Sequence, residues 1–292
     1  MKFVGIKCGI IALIAIFLSG CNTLGWYKDP VLAIPERPTY EDEVKIARLG
    51  QQLNSPDIDD DTRLHTLFLR GVLYDSIGLR AYAQSDMTLV MAMRPDLPEV
   101  YNYLGTFAID QDDSDAAYMA FNTALELDPE SVSAHFNRGL VSYRGERYSL
   151  ALDDVLFFYN DKPEDAIRLL WVYLVDKEID SKAALKSLQE RYDQMEDQSA
   201  WGGDIVAFYL GKISESTLME NTQKEVTSNR QLAERLTEVY FYLGKYYLSK
   251  GNEKRAETLF KYSLANNIYN YIEYKQALIE LNLLEKERNQ SN

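Results

Sequence analysis

Few residues of this 292-residue chain combine the types and spacing that chemistry demands. Its two histidines, His65 and His135, stand far apart. Neither joins a spacing that would converge several ligands on one metal. The run Asp110-Gln111-Asp112-Asp113-Ser114-Asp115 invites a calcium reading, but it lacks the central Gly and closing Glu that such a loop needs. It reads instead as a solvated turn between paired helices. Asp57, Asp59, Asp60 and Asp61 read as caps for a helix beginning near residue 62, their charge set against its positive end. There is no Gly-rich phosphate loop and no Gly-x-Ser-x-Gly elbow. Acidic pairs are plentiful enough for a glycosidase-like arrangement, yet nothing places one in a cleft. The expectation is a non-enzyme with no catalytic residue, no metal site and no cofactor.

The remaining reactive candidates are Cys8 and Cys21. Residues 1–20 carry Lys2 and Lys7 ahead of a short apolar stretch from Gly9 to Leu18. That stretch is too short to span a bilayer comfortably, so it reads as an export signal that is cleaved. Leu18-Ser19-Gly20-Cys21 resembles a bacterial lipobox, in which the Cys thiol receives diacylglycerol and becomes the first residue. Cys21 is therefore the expected lipidation site, and its acyl chains would anchor the chain to a membrane. Cys8 would leave with the signal, so no disulfide, thiol catalyst or Cys-based metal site is expected. Asn22 follows Cys21; by analogy with enteric-type lipoproteins, the absence of Asp there implies the outer membrane, facing the periplasm. Residues 21–38 contain Pro30, Pro35 and Pro38 and read as a lipidated Cys with a non-helical tether.

Behind the tether, the composition is that of a folded helical protein: 46% apolar residues, with only 8 Pro and 15 Gly. Tyr is abundant at 21 residues, which suits both helix interfaces and protein-binding surfaces. The formal charge of −14 would become more negative by two on loss of Lys2 and Lys7. A phosphate backbone would be repelled, so no nucleic-acid partner is expected.

The middle of the chain is periodic. Gly71, Gly105 and Gly139 are spaced by 34 residues, as are Ala83, Ala117 and Ala151, and Pro95, Pro129 and Pro163. This resembles the tetratricopeptide repeat. In each unit, Gly on the first helix admits the second, which presents the small Ala there and Met87, Phe121 or Val155 one turn on. The prolines end the second helices. Repeats are assigned at 64–97, 98–131 and 132–165. A more distant unit at 237–270 carries Tyr240, Leu243, Gly244, Tyr247, Ala256 and Phe260, with Asn266-Asn267 in place of the terminal Pro. Between them, 166–236 reads as divergent helical repeats, with helices near 165–176, 181–192, 203–210 and 214–224; an unrelated helical insertion is the alternative. Outer helices at 40–53, within a capping segment 39–63, and at 271–287, within 271–292, would cover the ends. The expected fold is all-α, a tetratricopeptide repeat solenoid of helical hairpins with flanking capping helices.

Stacked hairpins form a concave face lined by first helices. The family's groove positions fall on His65, Phe68, Val72, Asp75 and Ser76; on Glu99, Asn102, Thr106, Ile109 and Asp110; and on Ser133, Phe136, Leu140, Tyr143 and Arg144. The mixture of apolar and polar groups suits a protein ligand. It departs from the carboxylate-clamp groove, which is dense in Lys, Arg and Asn. Phe68, Phe136 and Leu140 are equally candidates for packing against a neighbouring helix or a second subunit.

A wider resemblance emerges from the lipobox, the tether, the repeats and three stretches. These are Leu73-Tyr74-Asp75-Ser76-Ile77-Gly78-Leu79-Arg80-Ala81, Pro98-Glu99-Val100-Tyr101-Asn102-Tyr103-Leu104-Gly105, and Tyr240-Phe241-Tyr242-Leu243-Gly244-Lys245-Tyr246-Tyr247-Leu248. Together they resemble the NlpI-type outer-membrane lipoproteins over essentially the whole chain. That resemblance implies a homodimeric periplasmic adaptor. Its partners would be a C-terminal processing protease, murein endopeptidases presented for degradation, and other cell-wall enzymes. Outer-membrane assembly or secretion cofactors share the anchor and repeats and form the alternative; a cell-wall hydrolase is a more remote one.

Overall fold

The computed structural model describes residues 30–290. The signal segment 1–20, the lipidation candidate Cys21 and tether residues 22–29 lie outside the described residues, as do 291–292. The chain divides into units Met1–Leu32 and Ala33–Asn292. Of the first, only residues 30–32 are described, and they are not helical. The second unit holds all the helices of the described residues.

Among the described residues there are fourteen α-helices and no strand. They are α1 Tyr40–Leu53, α2 Asp60–Ser76, α3 Arg80–Met93, α4 Pro98–Asp110, α5 Ser114–Leu127, α6 Val132–Arg144 and α7 Tyr148–Asp161. The remainder are α8 Ala166–Ile179, α9 Ser181–Gln194, α10 Gly203–Tyr209, α11 Glu215–Thr222, α12 Asn229–Ser249, α13 Glu253–Leu264 and α14 Ile272–Gln290. Consecutive helices pack as antiparallel hairpins, and the hairpins stack as a tetratricopeptide-type array. No helix among the described residues is long and apolar enough to cross a membrane.

The periodic residues make the hairpins close. A Cβ on Gly71 would stand 2.9 Å from the Met87 side chain, and one on Gly105 would stand 2.5 Å from the Phe121 ring. On Gly139 it would meet Asp154 and Val155 at 3.0 and 3.2 Å, and on Gly244 it would run into the Phe260 ring. The close approach thus falls on the larger residue one turn past the Ala, with the Ala83 and Ala151 carbonyls beside it. The prolines stand two residues after the ends of α3, α5 and α7, as their inability to continue a helix requires.

One further landmark recurs at the same interval. The turns of the first three repeats carry left-handed Gly78 (φ 82°), Asp112 (61°) and Glu146 (57°), and the α12–α13 turn carries Gly251 (71°) at the equivalent repeat position. In each, the residue after it donates its N–H five residues back: Leu79 to Tyr74, Asp113 to Ala108, Arg147 to Ser142 and Asn252 to Tyr247, at 2.8–3.0 Å. This satisfies helix-end carbonyls that would otherwise lack partners. Lys212 to Ala207 repeats the pattern after α10, with Gly211 left-handed (φ 71°), so the short pair α10–α11 is built like the others.

Helix starts follow the local sequence. Asp59 caps α2, accepting from Thr62 N–H at 2.8 Å, with Asp60 and Asp61 in the first turn; Asp57 lies in the preceding loop. Thr39 and Asp42 form a reciprocal capping box on α1. A single residue, Asp180, ends α8 and caps α9.

Two elements depart from the expected bounds. The first helix of the last repeat begins at Asn229, well ahead of 237, and runs to Ser249. From Leu236 to Lys245 every residue is buried. A helix covered all round is an interior element, and α12 packs against α11, α13 and α14. The tether's last residues, in turn, are non-helical but docked. Asn229 accepts from Ile34 N–H and donates to the Ile34 carbonyl, both at 2.8 Å. Glu36 N–H donates to the Asn266 carbonyl, and the Asn267 amide donates to the Glu36 carbonyl. Tyr269 packs on Gly78, so the turn of the first hairpin touches the loop that leads into α14.

Candidate protein-binding groove

The first helices α2, α4 and α6 carry the fifteen expected groove positions. His65, Glu99 and Ser133, near the N-terminal ends of these helices, are exposed. Phe68 lies edge-on to Tyr103, and Asn102 accepts from the Asn137 amide at 2.9 Å. Val72 packs with the Leu67–Met87 cluster, and Ile109 with the Phe121–Val141 cluster. Ser76 donates to the Leu73 carbonyl, and Thr106 to that of Tyr103.

Phe136 and Leu140 require a correction. They are only 1% and 2% exposed. Phe136 stacks on Phe158 of α7 at 4.1 Å and meets Trp171 of α8 edge-on at 5.4 Å. Two aromatic residues from the following helices close over it, so these positions serve packing rather than an open surface.

The C-terminal ends of the first helices converge on polar work. Arg80, the first residue of α3, pairs with both Asp75 and Asp110 and donates to the Thr106 carbonyl at 3.1 Å. Burial pushes the Asp110 carboxyl up, against the pull of Arg80. Tyr143 faces Lys245 of α12, whose ammonium lies 5.4 Å from the ring centre. Arg144 donates to Gln276 at 3.3 Å.

Gln276 belongs to α14, and that helix joins the polar layer at several points. It packs on α13 and α12, covering the last hairpin as a cap would, but it also reaches back to the first three repeats. Lys275 pairs with Asp75 of α2 at 3.0 Å, and Lys286 with Asp112 of the α4–α5 turn at 2.5 Å. On its other side, Glu273 accepts from Trp171 Nε1 at 3.1 Å and from the Tyr242 hydroxyl at 3.0 Å, while Glu280 pairs with Lys245 at 2.6 Å. The groove is therefore polarised. One side carries Asp75, Asp110 and Asp112, with Arg80 paired to the first two; the other carries Arg144 and Lys245. The chain's own C-terminal helix meets both: Lys275 and Lys286 pair with Asp75 and Asp112, Glu280 pairs with Lys245, the uncharged Gln276 accepts from Arg144, and Glu273 accepts from Trp171 and Tyr242.

Charge states follow from burial. Burial alone would depress the Lys245 ammonium, but Glu280 and Tyr143 hold it above its usual value. Lys275 is depressed by burial against the pull of Asp75. Burial raises the Glu273 carboxyl, opposed by its hydrogen bonds from Tyr242 and Trp171. Glu238 of α12, which accepts from Trp201 Nε1, is pushed well up by burial first and by Glu273 second.

Sequence reasoning missed Arg80, Trp171, Lys245, Glu273, Lys275 and Glu280. It also missed a repeated bridge inside the hairpins. Arg70 makes a two-pronged pair with Asp86, both bonds at 2.7 Å, and Arg138 does the same with Asp154 at 2.8–2.9 Å. His135 completes the second with Nδ1 2.7 Å from Asp154 and stacks on Phe157. Both pairs are spaced by sixteen residues and occupy equivalent repeat positions, a signal that was present in the sequence.

The hairpin geometry and its 34-residue period define a helical-repeat fold of the tetratricopeptide type. No family model matches the chain. Among solved structures it is similar to a tetratricopeptide repeat protein from Parabacteroides merdae, with 17% identity over 84% of this chain and 91% of that one and a TM-score of 0.48. It is also similar to the MamA protein (20% identity, 55% and 86% coverage, TM-score 0.47) and to Pseudomonas aeruginosa pilF (16%, 75% and 98%, 0.44).

Proposed function

We propose that the chain is a non-catalytic, lipid-anchored adaptor of the periplasmic face of the outer membrane. In this reading it binds a C-terminal processing protease and murein endopeptidases, promotes endopeptidase turnover and helps coordinate peptidoglycan remodelling. The observation that carries the binding role is the polarised groove, whose two sides hold a helix by ion pairs and hydrogen bonds. The lipobox-like Leu18-Ser19-Gly20-Cys21 supports the anchor. The resemblance of three sequence stretches to NlpI-type lipoproteins supports the choice of partners and a homodimer. Joining protease and substrate on one scaffold makes their encounter effectively intramolecular, which accelerates cleavage without a new catalytic group.

The test combines purified mature protein, a periplasmic C-terminal processing protease and a lipid-anchored murein endopeptidase, following the endopeptidase on a gel. Faster loss only with all three present is expected; no acceleration with folded, active components overturns the reading. Substitutions at the exposed positions His65, Glu99 and Ser133 then map the contact. Separately, radiolabelled palmitate should enter the wild-type chain in cells and not Cys21→Ser; equal labelling would sink the anchor.

A further inference from the structure

Within α14, Glu273, Gln276, Ala277, Glu280 and Leu284 recur at helical spacing and form the side turned toward α6, α8 and α12. Only two of them, Ala277 and Leu284, are buried apolar groups. Ile272, Tyr274, Ile279 and Leu281 are half-buried and the helix packs on α12 and α13, while its ties to α2, α6 and α8 are polar and Leu278 and Leu283 remain exposed. With only Ala277 and Leu284 fully buried among its apolar groups, α14 gains less from apolar burial than α12, which buries Leu236, Val239, Tyr240, Phe241, Tyr242 and Leu243. The polar contacts are of a kind that another helix can reproduce. Glu273 and Glu280 are seven residues apart, about two turns, and they meet Tyr242 and Lys245 on one partner helix. Lys275 and Lys286 meet Asp75 and Asp112 on the opposite flank.

We propose that α14 is a displaceable internal ligand of the groove. In its place the groove takes an amphipathic helix of a partner protein, with carboxylates two turns apart on one flank and lysines on the other. This rests on the adaptor reading of the same groove and adds its regulation: the resting chain is self-occupied, and a partner helix must compete with α14. The charge pattern sets the direction in which that helix lies, because a reversed helix would bring its carboxylates to Asp75 and Asp112.

The experiment uses the purified mature chain and a fluorescein-labelled peptide of residues 272–290. Glu280→Lys is expected to speed deuterium exchange of α14 amides and to bind the wild-type peptide at least tenfold more tightly than the wild-type chain does. Lys245→Glu is expected to prefer a peptide carrying Glu280→Lys over the wild-type peptide by a similar factor. The double variant Lys245→Glu/Glu280→Lys should restore slow exchange. Glu280→Gln, which keeps the side-chain shape, and Lys275→Ala/Lys286→Ala, at the groove's acidic flank, carry the same comparison if charge reversal at buried Lys245 prevents folding. Unchanged exchange in both of these, or a released groove that takes no peptide, overturns the proposal. Peptide exchange without acceleration of endopeptidase cleavage would instead overturn the adaptor's assigned partners and leave the latch standing.

Discussion

Hairpins α4–α5 and α12–α13 are built on the same contact, a glycine under a phenylalanine ring, yet they do different things. Around Gly105, α4 keeps Glu99 exposed and Tyr101, Asn102, Tyr103 and Leu104 half-buried. Around Gly244, α12 buries Glu238, Val239, Tyr240, Phe241, Tyr242, Leu243 and Lys245. The repeat motif specifies how two helices meet. It does not specify what their outer faces meet, and that is decided by elements far away in sequence. The α12 hairpin carries the extra polar residues because α14 arrives on it with Glu273 and Glu280.

The sharpest test of the difference is the pair Lys245–Glu280, whose side chains are 7% and 13% exposed. Removing one member of a buried pair leaves the other charge uncompensated, which costs roughly 3–5 kcal/mol. Lys245→Met should therefore destabilise by about 3 kcal/mol in urea denaturation. Adding Glu280→Leu should recover most of the loss, since apolar replacement of both partners is often neutral. Arg94–Asp96, exposed at 49% and 60%, is the counterpart on the first repeat. Arg94→Met should shift the urea midpoint hardly at all, as befits an exposed pair. Equal effects at the two sites would erase the distinction between interior and surface hairpins.

The glycines sharpen it further. A methyl group on Gly244 meets Phe260 with α12 hemmed in on every side, whereas on Gly105 it meets Phe121 with α4 partly free to shift. Overpacking a core typically costs about 1–3 kcal/mol, and replacing a helical Gly returns close to 1 kcal/mol. Gly244→Ala should lose about 2 kcal/mol and Gly105→Ala about half of that, read as shifts in the urea midpoint at constant slope. A larger loss at Gly105 would mean that α4 is the more rigid of the two.

Much of the array was legible because its determinants are local and repeated. Gly71, Gly105 and Gly139 mark close approach, and Pro95, Pro129 and Pro163 mark helix ends, each acting within a few residues of itself. The starts of α1 and α14 were legible for the same reason. What was not legible was the destination of α14. Its partners include Asp75, Asp112, Arg144 and Trp171, each more than a hundred residues away, and no periodicity relates Lys275 or Glu273 to them. The repeat position of Asp75 points to the inner face, but nothing in the sequence indicates that Arg80 and Lys275 pair with it there. Phe136 and Leu140 illustrate the converse. Their repeat positions alone point into the groove, and only the aromatic residues Phe158 and Trp171, beyond the regular pattern, close it.

The buried carboxyls Glu238 and Glu273 add a pH signature to the α12–α14 side. Burial raises both above the ordinary value of 4.5. A group raised in the folded state binds its proton more tightly there than in the unfolded chain. Its contribution is fully present below the unfolded value and is lost as pH rises through the folded one. Glu238→Gln removes that titration while keeping an oxygen to accept from Trp201. The variant should match the wild type near pH 4 and exceed its Tm by a few degrees near pH 8, about 1 kcal/mol for a domain of this size. A Tm difference that stays flat with pH would remove Glu238 from the account.

The smallest effect separates the repeats by their turns. Gly78 and Gly251 adopt the left-handed backbone freely, but Asp112 and Glu146 adopt the same conformation with a side chain (φ 61° and 57°). For an L residue this costs roughly 1–2 kcal/mol, and glycine gives part of that back to the greater freedom of the unfolded chain. Glu146→Gly should thus stabilise by about 0.5 kcal/mol. Asp112→Gly relieves the same strain but also removes the partner of Lys286 on α14, a pair exposed enough to contribute little. Its urea midpoint should rise less than that of Glu146→Gly, and deuterium exchange should show the loss confined to the far end of α14. If both variants gain equally, Lys286 contributes nothing to holding that helix, and its remaining polar ties are those of Glu273, Lys275, Gln276 and Glu280.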